Sequence, residues 1–394
     1  MKKPVIIFIP GFKGSFLRQC SNDRLVWPSP LQIYFGNKSL QLSIKPNDET
    51  FLELYSSEIL HKITLVPGIF EIKFYDFWLK TLKRNFGKTH EIIGFDYDWR
   101  QDNFNAIQKL DRLIQRLSQP SPSNPSGTRA ISLIAHSMGG LIASYYLRYG
   151  AQDFELAQEN WSGAAQIDHM IFAGVPFRGT ASMFRSIQIG MRTEQNRKLL
   201  CQPAIASFPS SYQLMPISGS SFLRKLDGTP LEQDIFNEQY WQENHWGLMG
   251  DENVDNAIGA QQANRSFTDN QLARAAQFTK LTHKPVEREA PKSLNVLNAI
   301  GQGYDTPERI YVDQGDNGCW SILSSQDAKQ HPEIPDPHCI YADGDYNVTV
   351  SSAQLPESFT TLKHQTIYSD HEHSALYDDP TIQQQIIDLI RYSG

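Results

Sequence analysis

Ile131-Ser-Leu-Ile-Ala-His-Ser137-Met-Gly-Gly140 is the stretch of sequence that decides the fold. Its first five residues are mostly apolar, which is typical of a strand buried on both faces. Two glycines follow soon after Ser137, and apolar side chains then recur every four positions over residues 141–149, as on a helix that ends at Gly150. A serine at a strained turn between a buried strand and a helix is typical of a nucleophile elbow. The sequence therefore predicts that Ser137 is a nucleophile.

Further apolar runs without strict alternation predict five more buried strands. They are Val5–Ile9, Glu91–Phe95, Ile167–Gly174, Asn295–Ile300 and Gln365–Tyr368. Helix patterns lie between several of these runs, over residues 78–86 and 107–117, and another follows the last run over residues 382–389. Alternation of strands and helices predicts a mostly parallel sheet with helices on both faces. Together with the elbow, it predicts an α/β-hydrolase fold.

One region interrupts this alternation, from about Thr180 to Ala290. Within it, Asp251–Ala290 has no Trp or Tyr and is rich in Asn, Gln and Ala. We expect residues 1–180 and 291–394 to form the α/β-hydrolase core, and residues 181–290 to form an inserted cap or lid. A helical excursion remote from the chemistry is the alternative.

An elbow serine is a poor nucleophile until a base takes its proton and a third group orients that base. In the α/β-hydrolase fold, the acid and then the histidine follow the serine along the chain. The acid is expected in a loop of small and polar residues, where Asp345 is preferred and Asp343 is the alternative. The histidine is expected between the last strand and the last helix, where His373 is preferred and His371 is the alternative.

Two backbone N–H groups are expected to form the oxyanion hole. One belongs to Met138, the residue after the nucleophile. The other comes from the loop Pro10–Gly14 after the first strand, and Phe12 is its expected donor. Glycines in this loop let the backbone approach a substrate carbonyl closely. His136, beside the serine, is expected on the opposite face of its strand, packed or on the substrate side, and not as the base.

Charge and hydropathy argue against several classes of function. The formal net charge is -7, and no stretch concentrates the basic residues that a nucleic-acid partner requires. No run approaches the ~20 apolar residues that span a bilayer, so no transmembrane segment is expected. Val5–Ile9 follows two lysines but ends in Pro10-Gly11 without a cleavage pattern, which favours a buried strand over a signal peptide. We therefore expect a cytoplasmic protein that could lie peripherally on a membrane.

The four cysteines lie far apart and fit no metal-binding or redox spacing. They are Cys20, Cys201, Cys319 and Cys339. Neither a metal nor an organic cofactor is expected, because ester cleavage at an activated serine needs none. Free thiols fit a cytoplasmic protein, whereas a disulfide between Cys319 and Cys339 would require export.

Short motifs spread over nearly the whole chain occur in the order found in a known family. They are Pro4–Leu17 (PVIIFIPGFKGSFL), Trp27, Asp96–Arg100 (DYDWR), Ala135–Gly139 (AHSMG), Gly174–Thr180 (GVPFRGT), Gly301–Tyr311 (GQGYDTPERIY), Asp343–Val348 (DGDYNV) and Glu372-His373. In these motifs the chain resembles the lecithin:cholesterol acyltransferase family, which includes lysosomal phospholipase A2 and phospholipid:diacylglycerol acyltransferases.

The resemblance implies an α/β-hydrolase core with a cap, and acyl transfer from a lipid ester through an acyl-serine. It matches Ser137, Asp345 and His373 to the catalytic triad of the family. It also matches Phe12 and Met138 to the oxyanion hole.

Two features depart from the family pattern. The acid motif of the family usually continues into Thr-Val, whereas Tyr346-Asn347-Val348 follows Asp345 here, so the resemblance supports the acid less strongly than the serine. Exported members carry a disulfide-closed lid loop shortly after the position of Trp27. No cysteine lies between Cys20 and Cys201, so another interaction must hold this loop.

Three residues are candidate contacts to substrate or lid, namely Trp27, His136 and Tyr346. Trp27 opens an aromatic and apolar segment that continues through Leu31, Ile33, Tyr34 and Phe35. This segment is expected to touch a lipid surface, to line an acyl groove or to pack under the cap. Asp98 and Arg100 are expected to hold the loop beneath the elbow.

These features together predict a serine hydrolase that acts on lipid esters, of the lipase or phospholipase A type. The alternative is an O-acyltransferase that moves a fatty acyl group from phospholipid to an alcohol, and a non-catalytic relative that only binds ligands is a third interpretation. The expected partner is a lipid or ester substrate, which a membrane or micelle surface could present. The polar composition of Asp251–Ala290 favours hydrolysis, since it indicates a cap open to water, whereas the resemblance favours transfer.

Overall fold

A computed structural model of the chain describes residues 2–29, 32–33, 36, 39–44, 53–66, 70–120, 127, 129–191, 196, 198–250, 258–334 and 336–392. The strands in this part of the chain are β1 (Val5–Ile9), β2 (Ser15–Gln19), β3 (Leu25–Trp27), β4 (Leu54–Ile59), β5 (Lys62–Val66), β6 (Phe70–Lys73), β7 (Glu91–Gly94), β8 (Ile131–His136), β9 (Ile167–Ala173), β10 (Leu223–Lys225), β11 (Asn295–Gly301), β12 (Tyr304–Pro307), β13 (Ile310–Gln314), β14 (Trp320–Ile322), β15 (Tyr341–Gly344) and β16 (Lys363–Ser369).

The α-helices in the same part of the chain are α1 (Asp76–Phe86), α2 (Asn103–Leu117), α3 (Met138–Tyr149), α4 (Ala181–Ile189), α5 (Gln202–Ala206), α6 (Pro209–Gln213), α7 (Glu238–Glu243), α8 (Ile258–His283), α9 (Ser325–Gln330), α10 (Glu357–Thr360) and α11 (Pro380–Tyr392). Turns of 3₁₀ helix occupy Ser162–Ala164, Gly247–Gly250, Pro337–Ile340 and His373–Asp378.

The central sheet has the strand order β16-β11-β9-β8-β1-β7. Every strand pairing in this sheet is parallel, within the residues that the structure describes. All residues of β1 and β8 are buried, as their apolar runs indicate, because helices cover both faces of a parallel sheet. These six strands are the ones that the sequence predicts, so the prediction of a mostly parallel sheet is confirmed.

Alternate residues of β1 enter two different cores, because successive side chains of a strand point to opposite faces. Val5, Ile7 and Ile9 pack with residues of α2 and α3, whereas Ile6 and Phe8 pack with residues of α1 and α11. Helices therefore cover both faces of the sheet, as predicted.

Side chains cap two of the helices that cover the sheet. The Asp102 carboxylate accepts a hydrogen bond from the Phe104 N–H and caps α2. The Asp379 carboxylate accepts from the Thr381 N–H at 2.7 Å, just before α11 begins at Pro380.

Residues 181–290 contain α4 to α8 and the short strand β10. Several contacts tie this region to the rest of the chain, and two of them show how. β10 pairs in parallel with β13, which lies beyond residue 290. The buried Arg148 of α3 forms an ion pair with Glu159 at 2.7 Å and donates to the Leu281 carbonyl near the end of α8. The division into core and cap at residues 181–290 stays a prediction.

Some sequence predictions concern residues that the structure does not describe. Leu31, Tyr34 and Phe35 of the aromatic segment, and residues 251–257 of the polar stretch, lie outside the described ranges. The four cysteines are all described, and each is free. In the described ranges, no helix combines the length and the apolar character that crossing a bilayer requires.

Candidate active site

Ser137 lies at the turn between β8 and α3 with φ of 52°, a left-handed conformation that is rare outside glycine. The strand and the helix cross closely at this turn. A Cβ atom on Gly139 would lie 2.5 Å from the Pro10 carbonyl oxygen, and one on Gly140 would lie 2.1 Å from a Val175 methyl carbon. Only glycine fits at both positions, so this part of the sequence forms the strained turn of a nucleophile elbow.

A histidine–carboxylate pair lies beside this turn. His373 Nδ1 is 2.8 Å from Asp345 Oδ2, and the His373 backbone N–H donates to the Asp345 carbonyl at 3.0 Å. The other carboxylate oxygen of Asp345 accepts from the N–H groups of Asn347 at 3.0 Å and Val348 at 2.7 Å. Three hydrogen bonds to its side chain thus fix the carboxylate, and through it the imidazole.

Electrostatics favour an ionised Asp345. Burial alone would raise the pKa of this carboxyl, but the neighbouring His373 and the N–H groups of Val348 and Asn347 outweigh burial and lower it. Asp345 therefore remains an anion where an imidazole titrates. It is suited to stabilise a positive charge on His373.

The two alternatives from the sequence lie elsewhere. Asp343 is exposed and accepts a hydrogen bond from the Gly303 N–H at 2.6 Å. His371 Nδ1 lies 3.5 Å from an Asp379 carboxylate oxygen. The structure thus joins Asp345 to His373 and gives Asp343 and His371 other partners. The catalytic roles of the preferred residues stay predictions.

Two glycines that the sequence analysis did not single out pack against this pair. A Cβ atom on Gly174, which has φ of 57°, would lie 3.0 Å from His373 Nδ1. A Cβ atom on Gly301 would lie 2.5 Å from the Asp345 Cβ. Gly174 and Gly301 are the first residues of two motifs quoted above, Gly174–Thr180 and Gly301–Tyr311. The motifs therefore pointed to these positions, although a residue without a side chain offers no chemistry that would single it out.

Ser137 and His373 line one cavity with a volume of about 320 Å³. Most of the other residues around it are apolar, and they include Phe12, Trp27, Leu60, Phe74, Met183, Met191, Leu214 and Val348. His136 also lines the cavity, as expected for a residue on the substrate side. Tyr346 is half exposed, its ring is tilted against that of Tyr304 with 4.4 Å between centroids, and it is absent from the described lining.

The loop Pro10–Gly14 approaches the nucleophile closely. A Cβ atom on Gly11 would lie 2.7 Å from the Ser137 Cβ, so the peptide between Gly11 and Phe12 is next to the serine. Within the described residues, the N–H groups of Phe12 and Met138 have no hydrogen-bond acceptor. Both groups are therefore available as the oxyanion-hole donors that the sequence predicts.

The DYDWR motif holds this loop in place. The Tyr97 hydroxyl donates to the Pro10 carbonyl at 2.8 Å, and the Trp99 indole donates to the Ser15 carbonyl at 3.2 Å. The rings of Phe12 and Trp99 pack edge to face with 4.8 Å between centroids. The aromatic residues of the motif therefore support the loop that carries Phe12.

The charged residues of the same motif have a different place. Arg100 forms an ion pair with Asp98 at 2.7 Å and donates to the Leu40 carbonyl at 3.0 Å. Asp98 and Arg100 thus hold the backbone at residue 40, and the expectation that they hold the loop beneath the elbow stays a prediction.

His136 links the two sides of the site. Burial, and to a lesser extent the nearby His373, lower its pKa to about 3, so the ring is neutral. Its Nε2 is 2.9 Å from the His373 carbonyl and must donate, which leaves Nδ1 to accept from the Tyr75 hydroxyl at 2.8 Å. The Tyr75 oxygen in turn accepts from the Gly11 N–H at 3.2 Å. This chain of hydrogen bonds connects the His373 backbone to the loop that carries Phe12.

Replacing Asp345 with asparagine should lower turnover by about 10⁴, whereas the same change at Asp343 should have a much smaller effect. An amide nitrogen facing His373 Nδ1 would hold the imidazole in the tautomer that cannot accept the serine proton. The Asp343→Asn variant should lose little activity, because an asparagine oxygen can still accept the hydrogen bond from the Gly303 N–H. The measurement is the rate of ester hydrolysis by the two purified variants. A larger loss of activity in Asp343→Asn than in Asp345→Asn would show that Asp343 is the catalytic acid.

Known proteins share sequence with much of this chain. The profile of the family named Lecithin:cholesterol acyltransferase matches residues 52–375. An uncharacterized protein of Saccharomyces cerevisiae, YJR098C, is 23% identical over 236 residues, which cover 60% of this chain and 32% of that protein. Lecithin-cholesterol acyltransferase-like 4 of Arabidopsis thaliana is 23% identical over 236 residues, which cover 53% of this chain and 42% of that protein. The chain thus spans less than half the length of these curated relatives.

The fold also occurs in a solved structure. One chain of the Tle4–Tli4 complex superposes with a TM-score of 0.53 at 13% identity, and the match covers 99% of both chains. The parallel sheet and the strand–elbow–helix turn are those of the α/β-hydrolase fold, so the predicted fold is confirmed.

Proposed function

This chain belongs to the lecithin:cholesterol acyltransferase family, and on that premise we propose that it cleaves acyl esters of lipids through an acyl intermediate on Ser137. The observation that carries the proposal is geometric. A serine in a left-handed elbow turn lines the same cavity as a histidine whose Nδ1 is 2.8 Å from a buried carboxylate. Nucleophile, base and orienting acid are the three parts of a serine esterase.

The reaction begins when Ser137 Oγ attacks the ester carbonyl carbon and His373 Nε2 takes the hydroxyl proton. The carbonyl oxygen becomes an oxyanion that accepts hydrogen bonds from the N–H groups of Phe12 and Met138. The His373 imidazolium then gives its proton to the departing alcohol, and the acyl group remains on Ser137. Water or a second alcohol, deprotonated by His373, attacks the acyl-serine and restores the enzyme.

The tautomer of His373 supports this assignment. Asp345 lies at hydrogen-bond distance from Nδ1 and is held by the N–H groups of Asn347 and Val348, so Nδ1 carries the proton. The other nitrogen, Nε2, is then the acceptor. It belongs to a side chain that lines the cavity next to the nucleophile.

The lining of the cavity supports a lipid as substrate. Aromatic, Leu, Met and Val side chains make most of it, and such a surface favours a hydrocarbon chain over a polar acyl group. We further propose that the substrate reaches the cavity from a membrane or micelle surface. A cytoplasmic location stays a prediction.

Hydrolysis is the proposed main outcome, and transfer to an alcohol is the second candidate. The polar composition of Asp251–Ala290, on which the expectation of hydrolysis depends, does not describe the cavity, because no residue of α8 belongs to its described lining. Polar side chains of α8 such as Thr268 and Gln271 are buried. Hydrolysis is still the expected main outcome, because water at ~55 M attacks the acyl-serine faster than an alcohol unless the site excludes water and holds the alcohol at a large effective molarity. The apolar lining is the observation that favours transfer as the second candidate, since a dry pocket would let an alcohol compete.

A product-ratio assay tests both candidates. The protein is incubated with phospholipid or triacylglycerol, with and without a long-chain alcohol in the same detergent phase, and free fatty acid and new ester are quantified. We expect free fatty acid to exceed the new ester. A ratio of ester to acid well above one at modest alcohol concentration would make transfer the main activity, and no acyl product from any lipid ester would contradict the proposed function.

A further inference from the structure

Lys13 introduces a cation into the cavity that holds Ser137. Among the described lining residues, it is the one lysine, and neither arginine nor a carboxylate side chain accompanies it. His136 is neutral, and His373 faces its own acid, Asp345. Apart from the His373 imidazole, which has its own acid, Lys13 is therefore the one side chain in the described lining that can present a full positive charge to a ligand.

The backbone holds Lys13 in an unusual conformation. Its φ is 64°, in the left-handed region that non-glycine residues seldom adopt. The Trp27 indole donates to the Lys13 carbonyl at 3.0 Å, and the Gly14 N–H donates to the Gly11 carbonyl at 3.0 Å. A Cβ atom on Gly14 would lie 2.6 Å from the Pro10 Cβ, so the two ends of the loop are packed too closely for a side chain at position 14. Strain that a surrounding structure maintains in this way is typical of functional sites.

The ammonium of Lys13 has no anionic partner within the described residues. No carboxylate there lies within ion-pair distance of it. Lys13 is among the residues that line the cavity, and burial lowers the pKa of its ammonium. An unpaired cation in an apolar surrounding is costly, and a bound anion would offset that cost.

The position of Lys13 relative to the reacting ester limits the chemical classes of ligand that it could bind. Lys13 directly follows Phe12, whose N–H group is the proposed donor to the ester oxygen, so an ester bound there lies close to Lys13. In a glycerophospholipid, the phosphate is carried on the carbon next to one that bears an acyl ester. The phosphate is therefore within a few atoms of the reacting carbonyl. We propose that Lys13 is a specificity-determining residue, which binds the phosphate of the leaving alcohol and so selects phosphorylated acyl donors over neutral glycerides.

This proposal rests on the proposed function and is tested with two donors that differ only in an anionic phosphoglycerol headgroup. They are 1,2-dioctanoyl phosphatidylglycerol and 1,2-dioctanoylglycerol, presented in the same neutral-detergent micelles. The measured quantity is the ratio of kcat/KM for the two donors. We expect Lys13→Met to lower the ratio about 10- to 100-fold, as loss of a hydrogen bond to a charged group does. Lys13→Arg should retain most of the ratio, because it keeps the charge.

A pH series separates binding of an anion from a merely structural role. The wild-type ratio should fall as pH rises through the lowered pKa of Lys13, because the neutral amine no longer attracts phosphate. The Lys13→Arg ratio should stay flat over the same range, since guanidinium keeps its proton. The exposed Lys83 of α1 provides the matched control, and Lys83→Met should leave both the ratio and its pH dependence unchanged.

The outcomes distinguish the two levels of the proposal. If the wild type hydrolyses neither donor, the proposed function fails and the role of Lys13 fails with it. If hydrolysis occurs but Lys13→Met keeps the wild-type ratio, only the role of Lys13 is overturned. Inhibition by octanoate is measured in parallel. A variant in which octanoate inhibition alone weakens would assign Lys13 to the carboxylate of the released fatty acid, which also contradicts binding of the headgroup phosphate.

Discussion

Ser137→Ala should lower turnover on lipid esters by about 10⁶ and leave the protein folded. The variant removes the atom that forms the acyl-enzyme, and no other group in the described cavity is placed to replace it. The fold should persist, because the elbow is held by backbone hydrogen bonds. The Ser137 N–H donates to the Ala173 carbonyl at 2.9 Å, and the Gly140 N–H donates to the Ser137 carbonyl at 2.8 Å. Alanine preserves both bonds.

Two other serines in the cavity provide controls for this variant. Ser182 and Ser374 line the same cavity but lie outside the elbow turn. Alanine at either position should retain most of the turnover. Circular dichroism and thermal unfolding would show whether the three variants fold equally well. Residual activity of Ser137→Ala within about 100-fold of the wild type would exclude Ser137 as the nucleophile.

His373→Ala should cost about as much turnover as the loss of Ser137, since the hydroxyl then has no base. The variant should still fold, because the Asp345 carboxylate keeps the N–H donors of Asn347 and Val348. Its melting temperature is compared directly with that of His371→Ala, which removes one partner of Asp379.

His371→Ala is also the kinetic control, because its ring is turned towards Asp379 and Ser369. We expect it to reduce turnover far less than His373→Ala. The measurement is kcat on one soluble ester across a pH range. A loss at His371 as large as that at His373 would mean that the base has been assigned to the wrong histidine.

Although the edge strands β7 and β16 are partly exposed, the sequence was sufficient to predict the central sheet because its four inner strands are almost fully buried on both faces. Such strands form apolar runs whatever their neighbours are. Ser137 could be predicted for a related reason, because a strained strand-to-helix turn needs small residues at fixed spacing around it. The order of residues along the chain favours Asp345 and His373 and leaves Asp343 and His371 as alternatives. The structure adds the contact that joins the preferred pair, which no local pattern could supply.

Other features depend on contacts between distant segments, which leave no local pattern. Tyr75 precedes a helix and belongs to no motif, yet it bonds to His136 and Gly11, 61 and 64 residues away. The short strands β10 and β13 pair across more than 80 residues of chain. Composition alone did not separate the two faces of α8. Gln261 and Asn270 are exposed, as a solvated surface requires, but Thr268 and Gln271 are buried, because the other face of the helix packs on the core.

Covalent labelling tests the central claim, that Ser137 is the nucleophile, most directly. The protein is treated with a fluorophosphonate, whose phosphorus bonds to an activated serine oxygen with loss of fluoride, and the modified peptide is identified by mass spectrometry. We predict one label, on Ser137, that is absent from Ser137→Ala and strongly reduced in His373→Ala. A label on Ser182, Ser374 or any other serine, with Ser137 unmodified, would contradict the account.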